Sequence, residues 1–317
     1  MLRPFITHFC IIETPSSLSM RTSVSLKKIE DTQQKEKDPV LSPTRPVEAL
    51  SLLRSKQFKL KINIYTKNNC YEKKVDSDIY GNFNIRIPHP EPEGEGDITH
   101  VDVYEISYRK ALELLMGSFL PVRIGFQAES SIVISDFDKT LVDTRYSTTK
   151  EIYRSLTSSL DQFPKVEASL QLFKGYLERR FTPFILTASP HFYEESIRDW
   201  LYQNGIYGAE IFLKDYRLIL NPLGNIFASK DVKIQGFYKF DHLVNILLMT
   251  GVPNHLALMG DSHESDLTVY LTLAMILTSD KDPWDIWNLC KDNSSYKLTN
   301  KQNIRFLSKL YQLRNNM

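Results

Sequence analysis

Short unbroken runs of apolar residues recur through the C-terminal half of the chain, and they limit the possible folds more than any other feature. Between the runs lie stretches whose apolar residues recur at helical spacing. Buried strands that alternate with helices indicate βαβ units and a parallel sheet. We therefore predict an α/β domain over residues 129–317, with strands at 131–135, 183–186, 211–213, 255–259 and 275–277.

The N-terminal half has a different pattern. Apolar and polar residues alternate over 58–65, 80–87 and 100–106, which is typical of half-buried antiparallel strands. These segments predict a small β-sandwich-like domain over residues 56–128. Residues 13–46 are rich in Ser, Thr, Lys, Glu, Gln and Pro with few large apolar residues, so we expect a disordered leader over 1–46. A short helix is predicted at 47–56.

The composition is that of an ordinary globular protein. The chain has 317 residues, 42% hydrophobic and 24% charged, with a formal net charge of +1. This balance gives no basis for nucleic-acid binding, which usually involves a basic domain. No run approaches the roughly 18 apolar residues of a membrane helix, and residues 1–12 form a poor signal peptide. Three scattered cysteines suit a reducing compartment. We expect a cytoplasmic protein.

Two acidic residues, Asp136 and Asp138, follow the first predicted strand of the α/β domain. The carboxyl ends of strands are where open α/β sheets hold ligands. Carboxylates this close repel each other unless a cation joins them, and Mg²⁺ prefers oxygen ligands. One carboxylate can attack phosphorus while the other serves as general acid. The alternative is a strand-end turn in which Asp and Thr only cap the loop.

A pair of hydroxyl residues, Thr187 and Ser189, follows the second predicted strand. A hydroxyl and free backbone N–H groups at this position can hold phosphoryl oxygens. Ser189 followed by Pro190 is also an ordinary helix start, so the segment equally predicts an N-cap.

A lysine and a second acidic pair complete the set of candidate residues. Lys239 lies near the start of a predicted helix, where it can neutralise a nucleophile and a phosphate, although Lys230 and Lys233 are rivals. Asp261 and Asp266 follow the fourth predicted strand and can complete a metal shell. The alternative for this segment is a Gly-Asp turn with an Asp cap.

The four motifs together resemble the haloacid dehalogenase (HAD) superfamily of Mg²⁺-dependent phosphohydrolases. More narrowly, they resemble the actin-patch phosphatidate phosphatase family, whose motifs are I-S-D-I-D-D-T, V-S-x-S-P, H-K and I-G-D-S-G-x-x-D-x-x-x-Y. The matching segments here are 134–140, 186–190, 238–239 and 259–270. The resemblance implies a Rossmann-like HAD domain.

Residue roles follow from this resemblance. It implies that Asp136 is the nucleophile and that Asp138 is the general acid and base. Thr187, with Ser189 beside it, would bind the phosphoryl group, and Lys239 would neutralise charge. Mg²⁺ would be held by Asp136, the backbone carbonyl of Asp138, and Asp261, with Asp266 as a helper.

The function expected from the motifs and the resemblance is phosphomonoester hydrolysis through an aspartyl-phosphate. A lipid phosphate, phosphatidate, is the first expectation for the substrate, and peripheral membrane contact would suffice to reach it. Two alternatives stay open: a phosphatase of a soluble phosphomonoester or a phosphoprotein, and a non-catalytic phosphate-binding module.

Overall fold

The computed structural model describes residues 2–28, 45–46, 56–91, 97–106, 112–127, 129–144, 149–215, 236–261, 265–296 and 298–316. The chain divides into two compact units. The first unit contains 1–126, 145–163 and 191–208, and the second contains 127–144, 164–190 and 209–317.

The first unit contains two four-stranded sheets. Its strands are β1 (Leu2–Thr14), β2 (Ser17–Lys28), β3 (Lys59–Thr66), β4 (Cys70–Asp76), β5 (Asn82–Pro88), β6 (Ile98–Glu105), β7 (Leu114–Phe119) and β8 (Val122–Arg123). One sheet has the order β5-β2-β1-β8 and the other β4-β3-β6-β7. All neighbours are antiparallel except β1 and β8. The unit also contains the helices α1 (Thr149–Thr157) and α3 (Glu194–Gln203).

One apolar core serves both sheets of the first unit. Side chains of Leu18 and Met20 from one sheet, and of Leu60, Ile62 and Val103 from the other, belong to the same buried cluster. In β2, β3 and β5 the core residues recur at even spacing, because successive side chains point to opposite faces. The strands predicted from alternation at 58–65, 80–87 and 100–106 are present as β3, β5 and β6.

The prediction of a disordered leader over 1–46 is wrong for residues 2–28, which form β1 and β2. Leu18, Met20, Val24 and the less buried Leu26 lie two or four residues apart and pack in the core. The Ser and Thr residues between them made this segment resemble a polar linker, although they are buried residues of strand β2. Residues 29–44 of the predicted leader, and 47–55 of the predicted helix, lie outside the described residues.

The second unit is built around a parallel sheet. Its strands are β9 (Ser131–Ser135), β10 (Thr182–Pro190), β11 (Glu210–Lys214) and β12 (His255–Met259), in the order β11-β10-β9-β12. Every neighbouring pair is parallel. Its helices are α2 (Glu167–Glu178), α4 (Gly236–Thr250), α5 (Asp266–Thr278), α6 (Pro283–Cys290) and α7 (Asn300–Asn315). The predicted α/β architecture with a parallel sheet is therefore present.

The predicted fifth strand at 275–277 is wrong, because this segment is the last part of α5. No Gly or Pro interrupts residues 266–278, so a helix that starts at Asp266 continues through the apolar run. A short apolar run cannot be assigned to strand or helix by periodicity alone. Among the helices in the described part of the chain, none is both long and apolar enough to cross a bilayer.

Candidate functional site

Asp136 directly follows β9, an inner strand of the parallel sheet. The side chains of Ile132, Val133 and Ile134 in β9 are fully buried, which suits a strand covered on both faces. Strand β9 pairs with β10 on one side and β12 on the other. The backbone N–H of Asp136 donates to the carbonyl of Met259 at the end of β12 (2.8 Å). Asp136 therefore lies, buried, at the carboxyl edge of the sheet.

A tight loop follows Asp136 and turns the chain back toward the site. The N–H groups of Leu141 and Val142 both donate to the carbonyl of Phe137 (2.9 and 3.2 Å), and that of Lys139 donates to Val142 (2.7 Å). Lys139 has a φ of 60°, in the left-handed region that few residues other than glycine, Asn and Asp adopt. The turn returns the chain so that Thr144 lies beside Asp138.

Three hydroxyl groups donate hydrogen bonds to the buried carboxylate of Asp138. Thr144 Oγ1 donates to Oδ1 (2.6 Å), while Thr187 Oγ1 and Ser189 Oγ donate to Oδ2 (2.8 and 2.6 Å). The backbone N–H of Ser189 in turn donates to Thr187 Oγ1 (3.0 Å). The end of strand β10 and the loop after β9 therefore hold this carboxylate in one orientation.

The hydroxyl side chain of Ser189 does not cap a helix. Helix α3 begins at Glu194 and has Tyr193 at its N-cap position, whereas Ser189 belongs to β10 and bonds to Asp138. The N-cap alternative is therefore wrong. Thr187 and Ser189 were expected to contact the phosphoryl group directly, but in this structure both donate to the carboxylate of Asp138.

Lys239 links Asp136 to Asp266. Its Nζ lies 3.1 Å from Asp136 Oδ2 and 2.5 Å from Asp266 Oδ1. All three side chains are at most 2% exposed. Buried charges require partners, because removing them from water costs several kcal/mol per ion. Helices α4 and α5 therefore each supply one member of an ion triad whose third member follows β9. The rival lysines, Lys230 and Lys233, lie outside the described residues.

Gly260 permits Asp266 to approach the loop after β12. A Cβ placed at residue 260 would lie 2.3 Å from Asp266 Oδ2 and 2.7 Å from its Cβ. Real atoms do not approach this closely, so only glycine accommodates the observed packing. Asp261 follows directly, and residues 262–264, which include His263, lie outside the described residues.

The carboxylates of the site affect the pKa of the Tyr270 hydroxyl. This hydroxyl donates to the carbonyl of Met259 (2.9 Å). Burial, with the negative charges of Asp266, Asp136 and Asp261, raises the pKa of Tyr270 well above its usual value, and Lys239 only partly opposes this. Lys239 joins Asp136 to Asp266, and Asp266 packs against Gly260, which directly precedes Asp261, so the three carboxylates lie around a common region.

The donor set of this region suits a hard divalent cation. Mg²⁺ binds carboxylate oxygens and keeps several waters, so two carboxylates are enough protein ligands. Asp136 and Asp261 can supply them, and Lys239 Nζ contacts one oxygen of Asp136 and one of Asp266. Within the described ranges, no three His, Cys, Asp or Glu side chains already form a metal-holding group. The chemistry of the donors therefore fits Mg²⁺.

Six of the seven predicted site residues are joined by direct contacts into two adjacent clusters. One cluster is Asp138 with Thr187 and Ser189, and the other is Asp136 with Lys239 and Asp266. Asp261, the seventh, lies on the loop between β12 and α5. Sequence reasoning missed Thr144, whose approach depends on the tight loop, and gave Tyr270 no role although it lies within the last motif.

A buried strand-end acid pair, a lysine bridge and a hydroxyl-held carboxylate suit the chemistry of a hydrolase of phosphoric monoesters. Residues 131–279 match the family described as "Phosphatidate phosphatase APP1, catalytic domain". The matched segment is just under half of the chain, and it contains every candidate site residue. The predictions of a phosphatase and of this family resemblance are thereby confirmed.

Other comparisons add nothing to this assignment. No curated protein matches the chain. Among solved structures, a calcium-binding mutant of Bacteroides uniformis beta-glucuronidase 2 is 10% identical with a TM-score of 0.24, and covers 97% of this chain and 35% of its own. The YXIM protein of Bacillus subtilis is 9% identical with a TM-score of 0.16, covering 82% and 76%. Likenesses this weak carry no information on fold or function.

Proposed function

We propose that this protein is a Mg²⁺-dependent phosphatidate phosphatase that acts through an aspartyl-phosphate on Asp136, and that its fold combines a Rossmann-like HAD domain with a β-sandwich-like domain. The observation that carries the proposal is the pairing of two buried carboxylates with different partners. Asp136 contacts the ammonium group of Lys239, whereas Asp138 accepts hydrogen bonds from three hydroxyl groups at 2.6–2.8 Å.

The first step is attack by a carboxylate oxygen of Asp136 on phosphorus. Its P–O bond forms while the P–O bond to the leaving alcohol breaks. Protonated Asp138 gives its proton to the leaving oxygen, which makes that oxygen a better leaving group. The ammonium of Lys239 contacts Asp136 Oδ2 at 3.1 Å and offsets the negative charge that gathers as nucleophile and phosphate meet.

The second step releases inorganic phosphate. Asp138, now ionised, takes a proton from a water that attacks phosphorus, and the bond to Asp136 breaks. Atoms and charges then return to their starting state. The hydroxyls of Thr144, Thr187 and Ser189 keep the Asp138 carboxylate oriented through both steps, which lowers the entropic cost of each proton transfer.

Mg²⁺, when bound by Asp136, Asp261 and the backbone carbonyl of Asp138, would neutralise phosphoryl oxygens as a Lewis acid. In this proposal Asp266 positions Lys239, and its role as a helper ligand stays a prediction. Its carboxylate holds Lys239 at 2.5 Å, and so keeps the ammonium pointed at the nucleophile.

Phosphate release assays test this proposal. Wild-type protein should hydrolyse micellar phosphatidate with Mg²⁺ and lose turnover with a chelator. Asp136→Asn should lower turnover by at least about a thousandfold, because an amide is a poor nucleophile. Asp241→Asn is the matched control, since Asp241 lies on α4 and pairs with Lys309 (2.6 Å) rather than with the site.

Other outcomes of the same assay identify the alternatives. Preference for water-soluble phosphate esters or a phosphopeptide over phosphatidate would assign a different substrate. Binding of inorganic phosphate without hydrolysis of any ester would indicate a non-catalytic phosphate-binding module. Full activity of Asp136→Asn would refute the mechanism.

A further inference from the structure

Helix α5 presents an apolar stripe to solvent, made of Leu267, Leu271 and Met275. Their exposed fractions are 64%, 57% and 45%. The three residues are spaced by four, so they lie on one side of the helix over about 12 Å. Ala274 and Thr278 are also exposed. No charged residue occurs anywhere in residues 267–278.

The stripe is not part of the core of the second unit. The opposite side of α5 serves that purpose, since Val269, Leu273 and Ile276 are fully buried. A helix at a protein surface normally carries polar or charged residues on its outer side. An exposed apolar surface of this kind marks an interaction site.

The stripe is continuous with the candidate site. Asp266 is the first residue of α5, is buried, and bonds to Lys239 in the ion triad. Leu267 is the next residue and is the most exposed of the stripe. One helix therefore contributes a charged residue to the site and an uncharged outer surface that begins beside it.

We propose that this stripe lies on a lipid surface and inserts into the apolar part of the bilayer while the site acts on a lipid phosphate headgroup; this inference rests on the proposed function. A lipid phosphate has a phosphomonoester headgroup on which the site would act and acyl chains that stay in the bilayer. An apolar protein surface next to the site suits such a substrate, and the outer side of α5 carries no charge over residues 267–278. Trp284 at the start of α6 is 49% exposed, and tryptophan favours the bilayer interface.

The test compares a double variant, Leu267→Ser/Leu271→Ser, with Ile304→Ser. Ile304 is an equally apolar residue on α7 and is 70% exposed, so it controls for loss of exposed hydrophobic area. Binding is measured by co-sedimentation with phosphatidylcholine vesicles that contain no phosphomonoester lipid, in the presence of a chelator. Turnover is measured separately on vesicles that contain phosphatidate and on p-nitrophenyl phosphate.

We expect wild type and Ile304→Ser to bind vesicles equally, and the double variant to bind roughly tenfold to a hundredfold more weakly. Its turnover of vesicle phosphatidate should fall, while its turnover of p-nitrophenyl phosphate stays at the wild-type level. Equal vesicle binding by all three proteins would overturn the proposal. The proposal would also be overturned if the double variant bound vesicles like wild type but no longer self-associated in light scattering. The stripe would then contact a second copy of the chain.

The two proposals fail in different ways. Stripe-dependent vesicle binding without hydrolysis of any ester would refute the proposed function and leave the lipid surface standing. Hydrolysis of phosphatidate with no contribution of the stripe to vesicle binding or turnover would support the proposed function and refute the lipid-surface proposal.

Discussion

Replacing Lys239 by methionine tests the ion triad directly. Methionine is similar in length and removes the ammonium, so the carboxylates of Asp136 and Asp266 would remain buried without it. In the wild type the three side chains are at most 2% exposed, with contacts of 3.1 and 2.5 Å. Removing one partner of a buried pair costs about 3–5 kcal/mol. We expect a loss of this size in the free energy of unfolding.

The measurement is urea unfolding at neutral pH in the presence of a chelator. Lys309→Met is the matched control. Lys309 also pairs with an aspartate at 2.6 Å, but both side chains are a quarter or more exposed, and such pairs contribute only about 0–1 kcal/mol.

A double variant, Lys239→Met/Asp266→Asn, extends the test. It removes one of the two carboxylates left behind, so it should be more stable than the sum of the single changes predicts, by about 1–3 kcal/mol. Two results would contradict the ion triad. One is a loss of unfolding free energy in Lys239→Met no larger than that in Lys309→Met, and the other is strict additivity of the Lys239→Met and Asp266→Asn effects.

Two further predictions concern packing and pH. Gly260→Ala should destabilise the protein by about 1–3 kcal/mol and abolish phosphatase activity, because the new Cβ would displace Asp266. The control is Gly175→Ala in α2, where the new Cβ would meet open space. In thermal unfolding this control should be neutral or slightly stabilising. In the first unit, burial alone would raise the pKa of Glu194, but the charges and hydrogen bonds of His8 and Arg198 lower it below its usual 4.5. A carboxyl with a lowered pKa stabilises the fold above its unfolded-state pKa and loses that contribution as the pH falls through its folded-state pKa. The melting temperature of His8→Gln should therefore lie below that of wild type at about pH 6, and the difference should shrink below about pH 4; a difference that does not change with pH would contradict this.

Much of the site could be predicted from sequence because of a property of parallel sheets. Strands β9, β10 and β12 were recognisable as unbroken apolar runs, and the carboxyl ends of parallel strands share one edge. Polar residues directly after those runs, such as Asp136 and Thr187, therefore had to lie near each other. Their neighbourhood did not depend on details of the loops.

The direction of individual side chains could not be predicted in the same way. Thr187 and Ser189 donate to Asp138 from the end of β10, where the pairing of β10 with β11 changes register after Leu186. Thr144 reaches the same carboxylate through a turn with a left-handed Lys139, which no sequence rule indicates for lysine. Such contacts depend on backbone geometry over several residues.

Two errors in the fold prediction have a common cause: the segments were assigned from their amino-acid composition rather than from the spacing of their apolar residues. Residues 17–28 were assigned to a disordered leader because of their Ser and Thr content, although apolar residues alternate between these. Residues 275–277 were assigned to a strand because they are apolar, although nothing ends helix α5 before them.

Trapping of the phosphorylated protein tests the central claim most directly. p-Nitrophenyl phosphate has a leaving group that needs little protonation, so Asp138→Asn should still be phosphorylated, while release of phosphate lacks its general base. After acid quenching and proteolysis, mass spectrometry should find the mass of one phosphoryl group on the peptide that contains Asp136. No such adduct should form in Asp136→Asn/Asp138→Asn. Turnover without any adduct, or an adduct on a peptide that lacks Asp136, would contradict the mechanism.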